Sequence, residues 1–267
     1  MNNPLVSIIT VVFNGEKHIE QTINSIIFQS YPHVEYIIID GASKDKTLEI
    51  IKKYEKNITH LISEKDTGIY NAMNKGLSLA KGEIIGILNA DDYYFEKTIE
   101  LVVQAFVKSK ASIVYGNLAK LRSFEGKNYF KEIAPNISLV EKTMPIFHPA
   151  TFVKKELYDK IGTFNEKYKL SADYDFIYRA YKADAVFEYI PQPLTVFRID
   201  GATSTSCKSY KEGYQILKSY NSPFANDMKR LIIKCKIKNF IRIIATIFIT
   251  LFGLKKWNEK RLIKKWM

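Results

Sequence analysis

The chain has 267 residues, enough for one large domain or one domain with an appendage. Its 46% hydrophobic and 13% aromatic content, with 12 Gly and 8 Pro, excludes a disordered, collagen-like or low-complexity protein. The net charge of +12 first suggests nucleic acid, membrane or phosphate as partner, but residues 229–267 hold 12 Lys and Arg against Glu259 alone, placing +11 there and +1 on residues 1–228.

Val6 to Val12 is a β-branched run closed by the turn Phe13-Asn14-Gly15 and reads as a buried strand. Ile19, Ile23, Ile26 and Ile27 then recur at helical spacing up to Tyr31-Pro32. A second strand covers Val34 to Ile39 and ends at Asp40-Gly41-Ala42-Ser43, before a helical stripe at Leu48, Ile51 and Tyr54. Strand Leu61-Ile62, a helix over residues 69–80 and strand Glu83 to Leu88 continue the alternation, with a helix over 95–108 after it. Continuous apolar strands separated by helices predict a parallel sheet covered on both faces, whose ligands sit beyond the carboxyl ends of the strands. Past residue 110 the pattern loosens to strands near 113–115, 150–153 and 185–189, with helices near 155–162 and 173–182. Cys207 and Cys235 are too few for a disulfide framework or a four-ligand zinc site, and no signal-peptide pattern opens the sequence, so a reducing cytoplasm is expected.

The strand ends carry the chemistry. The first turn has one glycine, and no Gly-x-x-x-x-Gly-Lys-Ser/Thr loop occurs, so dehydrogenase and ATPase readings lose support. Asp40 has two readings, a hydrogen-bond acceptor for a nucleoside or a turn cap. Asp91 and Asp92 place two like charges at the end of an apolar strand, which a divalent cation such as Mg²⁺ or Mn²⁺ would neutralise and a solvated turn would also tolerate.

Several ordered segments resemble family 2 glycosyltransferases across residues 4–205. They are Val6 to Asn14, Ile37 to Thr47 with Asp40-Gly41-Ala42-Ser43, Asp66 to Gly76, Ala80 to Glu83, and the Asp91 cluster. The resemblance implies the A-type glycosyltransferase fold, which is α/β and Rossmann-like, with a mostly parallel central sheet and helices on both faces. It also implies a nucleotide-diphosphate-sugar donor, commonly a UDP-sugar, a divalent metal, and inversion at the anomeric carbon. Matched position by position, Thr10, Val12 and Glu16 line the nucleoside pocket and Asp40 reads the base. Asp66 and Asn74 wall the donor site. Asp91 is the metal ligand, and Asn89 departs from the first Asp of the family's Asp-x-Asp motif, with Asp92 compensating. Met73 replaces an Arg common in the family. Ser171 to Phe176 resembles the Glu-Asp-x-Asp motif with Ala172 in place of Glu, which makes Asp173 the general base; its other reading is a helix N-cap, with Asp175 available for the same role. His148 stands where relatives place a His near sugar or acceptor, and also fits an ordinary structural His. Arg198 matches a basic residue near the diphosphate, or forms a surface ion pair. The loop 200–209 is expected to close over the donor.

Asn239 to Leu254 are mostly apolar, with a polar stripe at Arg242, Thr246, Thr250 and Gly253 and cations on both sides. Sixteen residues reach about 24 Å as a helix, short of the roughly 30 Å hydrocarbon core. With Trp257 and Trp266 among the flanking lysines, the composition fits an amphipathic helix on an anionic membrane surface; a packed helix, a short span and an oligomer contact are the alternatives. The expected organisation is a catalytic domain over 1–228, with a nucleotide-sugar half to about residue 110 and an acceptor half after it, and a membrane-associating tail over 229–267. The expected function is hexosyl or N-acetylhexosaminyl transfer to a glycan or polyprenyl-linked acceptor in cell-surface polysaccharide synthesis, at the cytoplasmic face of the inner membrane. The competing expectation is a nucleotide-sugar-binding protein with little or no catalysis, and a nucleic-acid partner is disfavoured by the near-neutral body.

Overall fold

The computed structural model describes residues 3–124, 126–199 and 207–251, together with Ile263 and Trp266. Strands β1 (Val6–Val12), β2 (Val34–Asp40), β3 (His60–Ser63) and β4 (Ile84–Asn89) pair in parallel in the order β3-β2-β1-β4. All their carboxyl ends therefore open on one edge. Strands β5 (Tyr93–Tyr94), β6 (Ile113–Phe124), β7 (Lys127–Ile133), β8 (Thr151–Lys154) and β9 (Phe187–Arg198) extend the sheet beyond β4 as β8-β6-β9-β5, with β7 paired to β6. β8 runs antiparallel to β4 and β6, while β6 and β9 are parallel.

Period-two alternation divides each central strand between two cores. Ile8 and Ile38 pack with helices α1 (Ile19–Ile27) and α4 (Thr98–Lys108) through Ile19, Ile23, Val102 and Phe106. Ile9, Ile37, Ile39 and Ile87 face the other way, where α3 (Ile69–Leu79) and α6 (Ala172–Lys182) contribute Met73, Leu77, Phe176 and Ile177. The expected two-sided cover is present. Met73 is fully buried in the second core, so the Arg common at this position is replaced here by a packing residue.

Helices α2 (Thr47–Lys52) and α5 (Lys155–Ile161) fall where the sequence pattern predicts. Four features differ from it. β6 runs on to Phe124 because it folds back on β7, an exposed strand rich in Lys and Glu that carries no clear alternation. β9 continues to Arg198 beside it. Helix α7 (Lys208–Ser219) occupies a stretch with no predicted element. Helix α8 (Ala225–Leu251) begins well before the apolar run, so the 228/229 boundary falls inside it and Met228 sits in the core.

Nothing in their spacing pointed to the disulfide that Cys207 and Cys235 form across 28 residues, joining the start of α7 to α8. Gly213 lets α7 approach α8 closely, since a Cβ there would stand 3.0 Å from the Met228 terminal methyl. Among the described residues no helix is long and apolar enough to cross a membrane. The expected closing loop lies mainly in 200–206, and the cations after the apolar run, with Trp257, lie in 252–262 and 264–265, outside the described residues.

Candidate active site

The turns after β1 and β2 are laced together by side chains. The Asn14 and Gly15 amides donate to Ser43 Oγ and Thr47 Oγ1 at 2.8 Å each, and the Lys44 amide returns a bond to Asn14 Oδ1 at 2.9 Å. Exposed Glu16 accepts from the Lys46 amide at 3.0 Å while its own amide donates to Asp45. Asp40 organises the second turn. Its carboxylate is wholly buried and accepts from the Ser43 amide, the Ser43 hydroxyl and, at 2.6 Å, Ser63 Oγ. That is the capping role, and it leaves the carboxylate no exposed surface towards a nucleobase, where the family-based expectation has it facing one. Thr10 and Val12 are corrected likewise: both side chains lie inside the sheet, Thr10 accepting from Tyr36 Oη at 3.2 Å.

Asp66 reaches this edge from the loop before α3. A Cβ on residue 41 would lie 2.5 Å from Asp66 Oδ2, so Gly41 is what allows the carboxylate to approach the end of β2. Phe13, largely exposed, stands against the same glycine. Asp66 Oδ1 accepts from the Gly68 amide at 2.9 Å, and Gly68 takes φ of 134°, a conformation that favours glycine. Asn74 departs from expectation. Its amide is committed to Phe164, donating to the carbonyl at 2.9 Å and accepting from the amide at 3.0 Å, and it also donates to Glu166. Asn71 donates to Glu166 as well, so α3 clamps the 164–166 loop. The three donors Asn74, Asn71 and Thr67 hold the Glu166 carboxyl below its ordinary range.

At the end of β4 the two adjacent acids separate. Asp92 is wholly buried and accepts from the Arg198 amide at 3.1 Å, while its own carbonyl accepts from Thr22 Oγ1. Burial and the charge of Asp91 push its carboxyl well above the usual range. It fastens β9 to the turn, and the expectation that it compensates for Asn89 as a metal ligand does not fit. Asp91 is only partly buried; burial raises its carboxyl, opposed by the nearby charges of His18 and Arg198. Asn89 Oδ1 is enclosed and accepts no hydrogen bond. An unpartnered amide oxygen two residues before a partly buried carboxylate fits a hard cation, though no cluster of three or more His, Cys, Asp or Glu suited to a metal occurs among the described residues. Arg198 is set beside this turn by its amide bond to Asp92, by a guanidinium bond to Gln21, and by its position 5.7 Å from the Tyr93 ring centre. His18 and Gln21 were not anticipated; they lie on the first turns of α1 and carry no motif.

A second cluster surrounds Asp173 in the first turn of α6. Ser171 holds the N-cap position without a side-chain cap bond, buried Asp175 pairs with Arg179 at 2.9 Å, and Asp173 takes up one free amide of the first turn. Asp173 Oδ1 accepts from Tyr70 Oη and from the Tyr174 amide, each at 2.9 Å. His148 lines the same small cavity as Asp173, with Thr151, Met144 and Phe164. Its Nε2 is enclosed and unpartnered, and burial lowers its pKa against the opposing charge of Asp173.

Several known proteins are similar to this chain. A glycosyltransferase of Rickettsia typhi is 29% identical over 92% of this chain and 80% of its own. A PGL/p-HBAD biosynthesis glycosyltransferase of Mycobacterium bovis is 32% identical over 70% of this chain and 73% of its own. Among solved structures, S. aureus TarS 1-349 in complex with UDP-GlcNAc superposes with a TM-score of 0.63 at 21% identity, covering 79% of this chain and 65% of that one. This chain thus spans about two thirds of that fragment. The mannosyltransferase PcManGT from Pyrobaculum calidifontis, in complex with GDP-Man and Mn2+, gives 0.64 at 16% identity over 98% of this chain and 86% of its own. These likenesses show the A-type glycosyltransferase fold. Residues 7–187 match the model of glycosyl transferase family 2, and the chain belongs to that family.

Proposed function

We propose that the protein is an inverting, metal-dependent glycosyltransferase that moves a hexosyl or N-acetylhexosaminyl group from a nucleotide diphosphate, foremost a UDP-sugar, to a glycan or polyprenyl-linked acceptor in cell-surface polysaccharide synthesis. The observation that carries the reading is the division of carboxylates: Asp91 stands beside Arg198 at the end of β4, while Asp173 is held apart on α6. Asp173 takes the proton of the acceptor hydroxyl as that oxygen bonds to the anomeric carbon. The bond from that carbon to the diphosphate breaks, and its electron pair leaves with the nucleoside diphosphate, so inversion needs no covalent intermediate. Arg198 offers its guanidinium to the diphosphate. Asp91 and Asn89 Oδ1 would hold Mn²⁺ or Mg²⁺, which supplies charge neutralisation for the departing group. Asp66, Gly41 and exposed Phe13 form the wall nearest the nucleoside, in place of Asp40. His148 lies on the acceptor side with Asp173.

Nucleotide release from a panel of UDP- and GDP-sugars, with acceptor extracts and Mn²⁺, tests this. Turnover abolished by EDTA and by Asp173→Asn is expected; donor binding without turnover under any acceptor favours the non-catalytic alternative that Asn89 and Ala172 motivate.

For α8 we propose an anionic membrane surface as partner, at the cytoplasmic face. From Ile233 onward, Ile233, Ile237, Phe240, Ile244, Ile247 and Leu251 fall within an arc of about 80° at 100° per residue, and each is more than half exposed. Cys235 and Asn239 lie on the opposite side and meet Cys207. That contact, which Asn239 makes whether or not the cysteines are joined, turns the apolar stripe away from the body, with Lys234 and Lys236 beside it. A reducing cytoplasm disfavours disulfides, so at that face the pair is expected as thiols, which alkylation in intact cells before lysis measures.

A further inference from the structure

Tyr70 stands at the hinge between the two clusters. It lies four residues beyond Asp66 in the first turn of α3, so one short segment places a carboxylate against the end of β2 and a phenol against α6. The phenol is buried, its ring packs 5.5 Å from that of Phe164, and α3 is clamped to the loop carrying Phe164 by Asn74. Its hydroxyl has little freedom to leave Asp173. Tyr70 and the Tyr174 amide both address Oδ1, and among the described residues Oδ2 accepts no hydrogen bond.

We propose that Tyr70 is the positioning residue of the general base, fixing Asp173 through Oδ1 so that Oδ2 stays free to take the acceptor proton. The inference rests on the assignment of Asp173 as base. A carboxylate on a helix surface otherwise exchanges between rotamers, and a donor on one oxygen selects one of them. Burial and the charge of Asp173 push the Tyr70 phenol well above the ordinary tyrosine range, so it donates at every working pH. The same segment that borders the donor pocket thus sets the orientation of the base.

Tyr70→Phe removes the donor and keeps the ring. With the fastest donor of the UDP- and GDP-sugar panel, kcat is expected to fall about ten- to hundredfold, the effect of losing one hydrogen bond to a charged group, while KM for the donor changes by less than about twofold. In an Asp173→Asn background the same substitution is expected to cost nothing further. A second readout needs no turnover. With ¹³C at the tyrosine Cζ, the signal assigned to Tyr70 by its loss in Tyr70→Phe should follow the ionisation of Asp173 as the pH is lowered from 7, and stay flat in Asp173→Asn. A flat wild-type signal, or a Tyr70→Phe enzyme with wild-type kcat beside an inactive Asp173→Asn, overturns the proposal. An active Asp173→Asn enzyme overturns instead the assignment of the base.

Discussion

The turns at the carboxyl ends of β1, β2 and β4 and the long helix α8 treat their side chains in opposite ways. At the turns, Asn14, Asp40, Glu16 and Asp92 are tied to backbone amides of neighbouring loops, and two of them are fully buried. From Ile233 onward the side chains of the apolar stripe of α8 stand in solvent, with one side of the helix held to the body by Cys235 and Asn239. Buried carboxylates held by neighbouring donors stiffen the turns around them, and an exposed apolar stripe with cations beside it is a surface awaiting a partner. One region is finished and the other is open, and substitutions in each should fail differently.

The largest effect belongs to Asp173→Asn. Removing a general base should lower kcat by about 10²–10⁴-fold with folding intact, measured as nucleotide release beside the thermal unfolding curve. An equal loss from a substitution in α8 would erase the distinction between the regions. Asp40→Ala comes next and should act on stability. It strands the buried partners of the carboxylate, the Ser43 amide and the hydroxyls of Ser43 and Ser63, at a cost of about 2–4 kcal/mol, read from urea midpoints. If the variant folds normally but loses donor affinity alone, Asp40 contacts the nucleotide after all.

The open region answers to Ile237→Asp, Ile241→Asp and Ile244→Asp combined. These side chains are more than half exposed, so the fold loses little. Binding to phosphatidylglycerol vesicles should weaken by about a hundredfold or more, since the apolar contact is lost and like charges are added. Donor turnover in solution should stay unchanged. Substitution serves better than truncation at 229, which would cut the helix beside Met228 in the core.

The sequence made the parallel half of the sheet legible because β1, β2 and β4 are continuous apolar runs, and the ends of those strands carry part of the candidate site. It left Asp40 and Asp92 ambiguous, because an acid after a strand looks the same whether it meets a ligand or a backbone amide, and only burial and partners separate the two. Asn74 and Glu166 are 92 positions apart, and a polar pair at that distance has no periodicity to betray it. Tyr70 has no separate signal in the sequence for the same reason: its hydroxyl meets Asp173, 103 positions away. The disulfide and α7 were hidden because a pair of cysteines and a polar helix have no strong pattern.

The smallest expected effect tests the finished region at its edge. Glu166 accepts from Asn71, Asn74 and Thr67 while remaining partly exposed. Its folded pKa is depressed, so its contribution to stability is present above its unfolded pKa and is lost as pH falls through the folded one. Glu166→Gln should therefore lower Tm by only about 1–3 °C near neutral pH, and the gap to wild type should close on acidification below about pH 4. A gap that persists at low pH would mean that Glu166 acts through shape and not charge. A large drop at neutral pH would show that the clamp of α3 on the 164–166 loop, and with it the placing of Tyr70 against Asp173, depends on one surface carboxylate more than on the paired bonds of Asn74 to Phe164.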